Sequence, residues 1–259
     1  MNHLSHAIRK FNRFELKYLV SIQQAEAFRK TLTAYLVPDQ HGDALGSYEL
    51  SSLYYDSHDY RFYWEKIDGI RYRRKLRIRH YMNSQPLCGD QPVYIEIKQR
   101  LNRVTQKRRA VMTYRDALQL CNDRQPPAGV HQDQAVLDEV MSMLWQYDLH
   151  PASVVTYSRL ALVGTDFDIG LRVTFDRDLR SRRQPLSLTD NQNDTYLYPP
   201  HLCIIEIKAN ERIPYWLTEE VAKHQLNLIR VSKYCRSIEL NASVKSAPSG
   251  IRMEKPGLF

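Results

Sequence analysis

Residues 13–20, Arg-Phe-Glu-Leu-Lys-Tyr-Leu-Val, alternate polar and apolar side chains, and that two-residue period predicts a strand. Ser21 then reads as a helix N-cap with Gln24 as its capping-box partner. Ala25, Phe28, Leu32 and Tyr35 recur at helical spacing, predicting an amphipathic helix over 22–36 that ends before Pro38. The two-residue period returns near Tyr48 to Tyr55 and at about 70–81, 93–100 and 107–113. A short helix is predicted over Ser57 to Lys66, and Thr113 caps another reaching Leu120. Leu137, Val140, Met141 and Leu144 mark a further helix face. Strands follow at about 153–163, 167–176 and 202–208, a loop spans 180–200, and Pro214 opens a helix to about Leu228. Strands interrupted by helices without βαβ regularity predict an α+β fold with antiparallel pairing. The expected organisation is an extension at 1–12, a single domain at 13–240 and a loose tail at 241–259.

Alternate residues of a strand share a face. From 70 to 81, one face holds Arg71, Arg73, Lys75, Arg77, Arg79 and Tyr81, while the other is largely apolar. Like charges in a row repel, so five consecutive cations require an anion opposite them. Glu15 and Lys17, Glu96 and Lys98, and Glu206 and Lys208 likewise share faces opposite apolar residues. Tyr157 and Arg159 share another face, as do Arg172, Thr174 and Asp176. The repeated Glu-x-Lys strands suggest two similar halves, and closing them into a barrel would gather the ionic faces around one lumen. A flat sheet with its ionic faces in water is the plainer alternative. Agreement among six strands favours the lumen.

Charge sharpens this picture. Lys and Arg number 37 against 29 Asp and Glu in 259 residues, which favours anionic partners without choosing among them. Buried cations are tolerable only beside water or a polyanion. Arg offers a planar fork for phosphate oxygens and Lys a compact charge, so both suit a chain of phosphoryl groups. Carboxylates within such a lumen imply a bridging divalent cation, or simple neutralisation of their neighbours. Four dispersed cysteines and the absence of HxH or HExxH spacing argue against a disulfide framework or a histidine metal motif. No stretch reaches membrane-spanning length, no signal peptide is read, and a cytoplasmic location is expected.

The segments Arg13-Phe14-Glu15-Leu16-Lys17-Tyr18, Leu76-Arg77-Ile78-Arg79-His80-Tyr81, Ile95-Glu96-Ile97-Lys98 and Tyr157-Ser158-Arg159 resemble the VTC-type polyphosphate polymerase domains. These belong to the CYTH, or triphosphate tunnel metalloenzyme, superfamily. Leu171-Arg172-Val173-Thr174-Phe175-Asp176, Ile205-Glu206-Ile207-Lys208 and Val231-Ser232-Lys233-Tyr234 continue the family's order. The resemblance implies an antiparallel β-barrel tunnel with peripheral helices, which binds ATP and elongates polyphosphate with Mn²⁺ or Mg²⁺, releasing ADP, with ATP and inorganic polyphosphate or pyrophosphate as partners. It implies phosphate contacts from Lys17, Arg77, Arg79, Lys98, Arg159, Arg172, Lys208 and Lys233. Glu206 would hold the metal with Glu15 and Glu96 as further candidates, and Ser232 would line the phosphate path. Tyr157 would meet the nucleotide base, and Arg230 stands where the family carries a lysine near the mouth.

Hydrolytic and cyclase members open with Glu-x-Glu-x-Lys, but here the first position is Arg13. Losing that carboxylate weakens the case for activating water and favours the polymerase. A tripolyphosphatase or nucleoside triphosphatase, and a non-catalytic polyphosphate or nucleotide sensor, are the alternatives. Nucleic acid is not expected, because no aromatic row accompanies the basic one. Oligomerisation is left open.

Overall fold

The computed structural model describes residues 13–241 except 83–85, 103, 130, 191–193 and 211. The expected extension at 1–12 and nearly all of the expected tail lie outside the described residues. The chain runs β1 (Arg13–Ser21), α1 (Ile22–Leu32), β2 (Leu36–Pro38), β3 (Ser47–Asp56), α2 (Arg61–Ile67), β4 (Tyr72–Met82), β5 (Pro92–Leu101) and β6 (Val104–Thr113). It continues through α3 (Tyr114–Asp123), α4 (Gln134–Tyr147), β7 (His150–Gly164), β8 (Arg172–Arg182), β9 (Thr195–Tyr196), β10 (Leu202–Asn210), α5 (Tyr215–Lys223) and α6 (Lys233–Asn241).

Local chemistry explains several boundaries. Ser21 and Gln24 form the expected capping box at the start of α1. The helix stops at Leu32 rather than near 36, because residues 36–38 pair with 162–164 of β7. Before α2, the Asp56 carboxylate accepts backbone N–H bonds from Ser57, Phe62 and Tyr63, which delays the helix to Arg61. Thr113 caps α3 as expected. The strand expected at 167–176 starts only at Arg172. Residues 166–168 form a 3₁₀ turn, and Gly170 has φ 92°, where an added Cβ would strike Asn210. That strand then continues through Arg182, into the expected loop. Helix α5 ends at Lys223, short of Leu228, because Leu228 bridges to Tyr18 and the Ile229 N–H donates to the Lys17 carbonyl along the edge of β1 not paired with β10.

The ten strands form one antiparallel sheet, whose main path runs β1-β10-β8-β7-β3-β4-β5-β6. The expected tunnel fold is present, but among the described residues no backbone ladder joins β6 to β1. The sheet curls instead, and side chains span the seam: Lys98 on β5 reaches Glu15 on β1 at 3.2 Å. The Lys75 ammonium on β4 donates to Ser232, which precedes α6, at 2.7 Å.

Apolar residues on the outer face pack beneath the helices. Leu76, Ile78, Ile95 and Ile97 meet α3 and α4 through Ala117, Leu120, Leu137, Val140 and Leu144. Phe175, Ile205 and Ile207 meet α1 through Ala25, Phe28 and Leu32. One end of the inner face is also apolar, where Leu50, Tyr54, Tyr157 and Ile204 join Tyr234, Cys235 and Ile238 of α6 in a third cluster. Strand β3 is therefore buried on both faces from Leu50 to Asp56, unlike the half-exposed alternation its sequence suggests. Among the described residues, no helix is long and apolar enough to cross a membrane.

Candidate functional site

Register brings the ionic residues together. Lys17 lies opposite Glu206, Glu15 opposite Lys208, and Lys208 opposite Arg172. Arg159 lies opposite Asp176 and Tyr48, Tyr54 opposite Arg77, and Arg77 opposite Glu96. Since directly paired residues project to the same side, every one of these side chains enters the bore. Ten cations, Lys17, Lys75, Arg77, Arg79, Lys98, Lys107, Arg159, Arg172, Lys208 and Lys233, meet five carboxylates, Glu15, Asp39, Glu96, Asp176 and Glu206.

On the β4 side, Arg77 donates twice to Glu96, at 2.8 and 2.6 Å, and once to the Tyr54 hydroxyl at 2.9 Å. Arg79 donates to Ser52 and to the Tyr157 hydroxyl, and Lys107 reaches Glu96 at 2.5 Å. Burial would raise the Glu96 carboxyl, but Arg77, Arg79 and Lys107 outweigh it and hold Glu96 below the usual carboxylate range. Burial also favours the neutral Tyr54 phenol, yet Arg77, Arg79 and Lys75 bring it down to about 8.

On the β10 side, cations and carboxylates interleave. Glu206 meets Lys17 at 3.2 Å, Lys208 at 2.6 Å and Lys233 at 2.9 Å. Lys233 also meets Asp176 at 2.5 Å, and Arg159 grips Asp176 with two bonds of 2.6 and 2.7 Å. Burial would raise the Glu206 carboxyl, but Lys17, Lys208, Lys233 and Arg159 hold it well below its ordinary range. Burial drives the Lys208 ammonium down to about 8, with Glu206 only partly opposing it. Lys233 moves the other way, since Asp176 and Glu206 overcome its burial.

Two consecutive inward positions of β8 hold donors without partners. Arg172 Nε and Thr174 Oγ1 are buried and make no hydrogen bond, although Arg172 donates through Nη2 to Tyr48 at 2.8 Å. Buried donors are ordinarily satisfied, so these two mark a place where an acceptor belongs.

All eight expected phosphate contacts, together with Glu15, Glu96 and Glu206, converge on this bore. Ser232 sits at its seam. The Tyr157 ring is buried, with Lys233 4.8 Å and Arg159 5.1 Å from its centroid. Arg230 is exposed, and with Arg100 it lies near enough to Arg73 to depress that guanidinium, after the larger effect of burial. Sequence reasoning did not assign Asp176, Asp39, Lys75, Lys107, Tyr48 or Tyr54 to the site. Asp176 and Lys75 were legible as members of inward-facing rows. Asp39 was not, because it arrives from the loop after β2.

Fold and site together define a triphosphate-tunnel architecture, an antiparallel sheet curled about a charged bore. The VTC domain family matches residues 12–241, and the chain belongs to that family. Among curated proteins, nothing matches the chain. Similar solved structures include a Bacillus halodurans protein described as a candidate adenylate cyclase, with 14% identity, 84% of this chain and 92% of that one covered, and a TM-score of 0.46. A Hippeastrum protein, a candidate adenylyl cyclase described as revealing a dominant triphosphatase activity, shares 10% identity over 87% of this chain and 94% of its own, with a TM-score of 0.47. A Pyrococcus horikoshii protein shares 13% identity over 89% and 99% of the two chains, with a TM-score of 0.42.

Proposed function

We propose that the bore binds the phosphate chain of ATP and of inorganic polyphosphate, and that the protein transfers the ATP γ-phosphoryl group to the growing polymer. The observation that carries this reading is the unpartnered pair on β8, Arg172 Nε and Thr174 Oγ1, within a wall where cations outnumber carboxylates. A terminal oxygen of polyphosphate attacks the γ-phosphorus. The bond to the β–γ bridging oxygen breaks, its electron pair leaves with ADP, and the chain grows by one unit. The attacking oxygen is already anionic, so no general base is needed. Alignment and neutralisation of charge supply the catalysis.

Residue roles follow from position. Arg77, Arg79, Lys75 and Lys98 line the side with the fewest carboxylates and suit the phosphate chain. Arg172, Lys208, Lys17 and Lys233 complete the opposing wall. Arg159 is locked to Asp176 and acts mainly by holding that carboxylate. Tyr157, buried beside Lys233 and Arg159, belongs to the wall rather than to a nucleotide base. Arg230, with Arg73 and Arg100, suits the approach of anions from outside.

The carboxylate oxygens of Glu206, Glu15 and Asp176 fit Mg²⁺ or Mn²⁺, which prefer hard oxygen donors and bind through one or two carboxylates plus phosphates. Lys17 already bridges Glu15 and Glu206, and Lys233 bridges Asp176 and Glu206, so these carboxylates are arranged to share a cation. The ion would offset negative charge on the phosphates. Glu96, already covered by Arg77 and Lys107, serves as their counterion.

Incubating the purified protein with ATP and Mn²⁺ should yield long polyphosphate and ADP, resolved by gel and by phosphorus NMR. Arg77→Ala and Arg172→Ala should each lower turnover by roughly 100-fold or more while circular dichroism stays native. Orthophosphate without chains would replace the polymerase with a hydrolase. Tight binding without turnover would make the protein a sensor.

A further inference from the structure

We propose that His58, Asp148 and His150 form a transition-metal site of the zinc class outside the charged bore. Three separate segments supply the ligands. His58 lies in the turn between β3 and α2, Asp148 caps the C-terminus of α4, and His150 is the first residue of β7. The β-ladder sets Asp56 opposite His150, which carries the β3 turn to the α4–β7 junction. One ligand atom from each of the three lies within 4.8 Å of the others. The two imidazole rings stand 4.0 Å apart between centroids, at 34°.

A second observation points to a ligand. His150 Nε2 is buried and forms no hydrogen bond, although Asp148 Oδ2 is 3.1 Å away. At that separation the ring nitrogen and the carboxylate oxygen are close enough to take one ion in place of their direct contact. The carboxylate is also oriented in advance. Arg124 Nη2 lies 3.3 Å from Asp148 Oδ1, while Arg124 itself is anchored by the carbonyls of Cys121 and Leu149. Fixing a ligand through its outer contacts is how such sites are tuned. The Asp148 backbone adopts φ 46°, held by its N–H bond to the Leu144 carbonyl.

The donor set names the class of ion. Two imidazoles and one carboxylate suit Zn²⁺, Co²⁺, Ni²⁺ or Cu²⁺, whereas oxygen-only sets suit Mg²⁺, Ca²⁺ or Mn²⁺. The assigned bore residues include no histidine, so the two regions call for different ions. Three protein donors leave a fourth tetrahedral position for water. An ion there would tie the approach to α2 to the start of β7.

The test uses Co²⁺ alone as the probe, added to the chelator-treated full chain, with visible absorption as the readout. An intense tetrahedral d–d band that saturates at one Co²⁺ per chain and is displaced by Zn²⁺ is expected. His58→Ala should abolish the band, and Asp148→Asn should weaken binding by about tenfold or more. Both variants should keep native circular dichroism, and His58→Ala should keep ATP turnover in Mn²⁺ unchanged. Absence of the band from the wild-type protein, or its persistence in both His58→Ala and His150→Ala, would overturn the assignment.

Discussion

Strands β5 and β10 carry the same triplet, Glu96-Ile97-Lys98 and Glu206-Ile207-Lys208, and hold matching places on either side of the central β7–β3 pair. Their surroundings make them chemically different. Glu96 stands among Arg77, Arg79 and Lys107, while Lys98 turns away from it and crosses the seam to Glu15. Glu206 grips its own Lys208 and shares Lys17 with Glu15 and Lys233 with Asp176. One half is a cation row with a single counterion. The other alternates charges, so an ammonium there can give way to a divalent ion. A short motif acquires its role from the strands beside it.

The largest test of that contrast concerns stability. Arg159 and Asp176 are buried, and removing one partner of such a pair costs about 3 kcal/mol or more. Arg159→Ala should therefore lower unfolding stability by that amount. Lys98→Ala, which removes a half-exposed ammonium, should cost less than about 1 kcal/mol. Urea unfolding measures both, and equal losses would erase the distinction between the halves.

Metal dependence sharpens it further. Glu206→Gln should shift the Mn²⁺ concentration for half-maximal turnover by about tenfold or more, while Glu96→Gln should leave that midpoint in place. A shift in the Glu96 variant alone would reverse the assignment of the halves.

The smallest expected effect is in pH. Lys208 ionises in the fold at about 8, against 10.5 for an ordinary lysine, so between those values the unfolded chain binds more protons and stability rises with pH. The proposed binding of polyphosphate should run the opposite way. Above about 8, Lys208 loses its charge and Tyr54 gains a negative one, so affinity should fall a few-fold. Titration calorimetry from pH 7 to 10 should show the decline, and the Lys208→Arg/Tyr54→Phe double variant should flatten it.

The cation row of β4 and the Glu-x-Lys strands were legible because strand alternation is a local property that places side chains on faces without reference to partners. The antiparallel tunnel followed from the agreement of those faces. What escaped depended on distant contacts. Residues 180–200 read as a loop, yet Arg182 is buried, bonded to the Pro185 and Ser187 carbonyls and to Asp194. Helix α6 carried a local signal, since the Ser232 hydroxyl accepts the Cys235 N–H, with Tyr234, Cys235 and Ile238 following at helical spacing. Pairing within the bore also escaped, because which lysine meets which carboxylate is decided by register and by the curl.

That no ladder joins β6 to β1 among the described residues has a mechanical consequence. A cylinder sealed by backbone hydrogen bonds keeps its calibre in any buffer. Here part of the seal is the Lys98–Glu15 ion pair, whose attraction is damped over about 10 Å in 0.1 M electrolyte. Rising ionic strength therefore loosens the wall as well as weakening its hold on a polyanion, so the width of the channel and its grip change together.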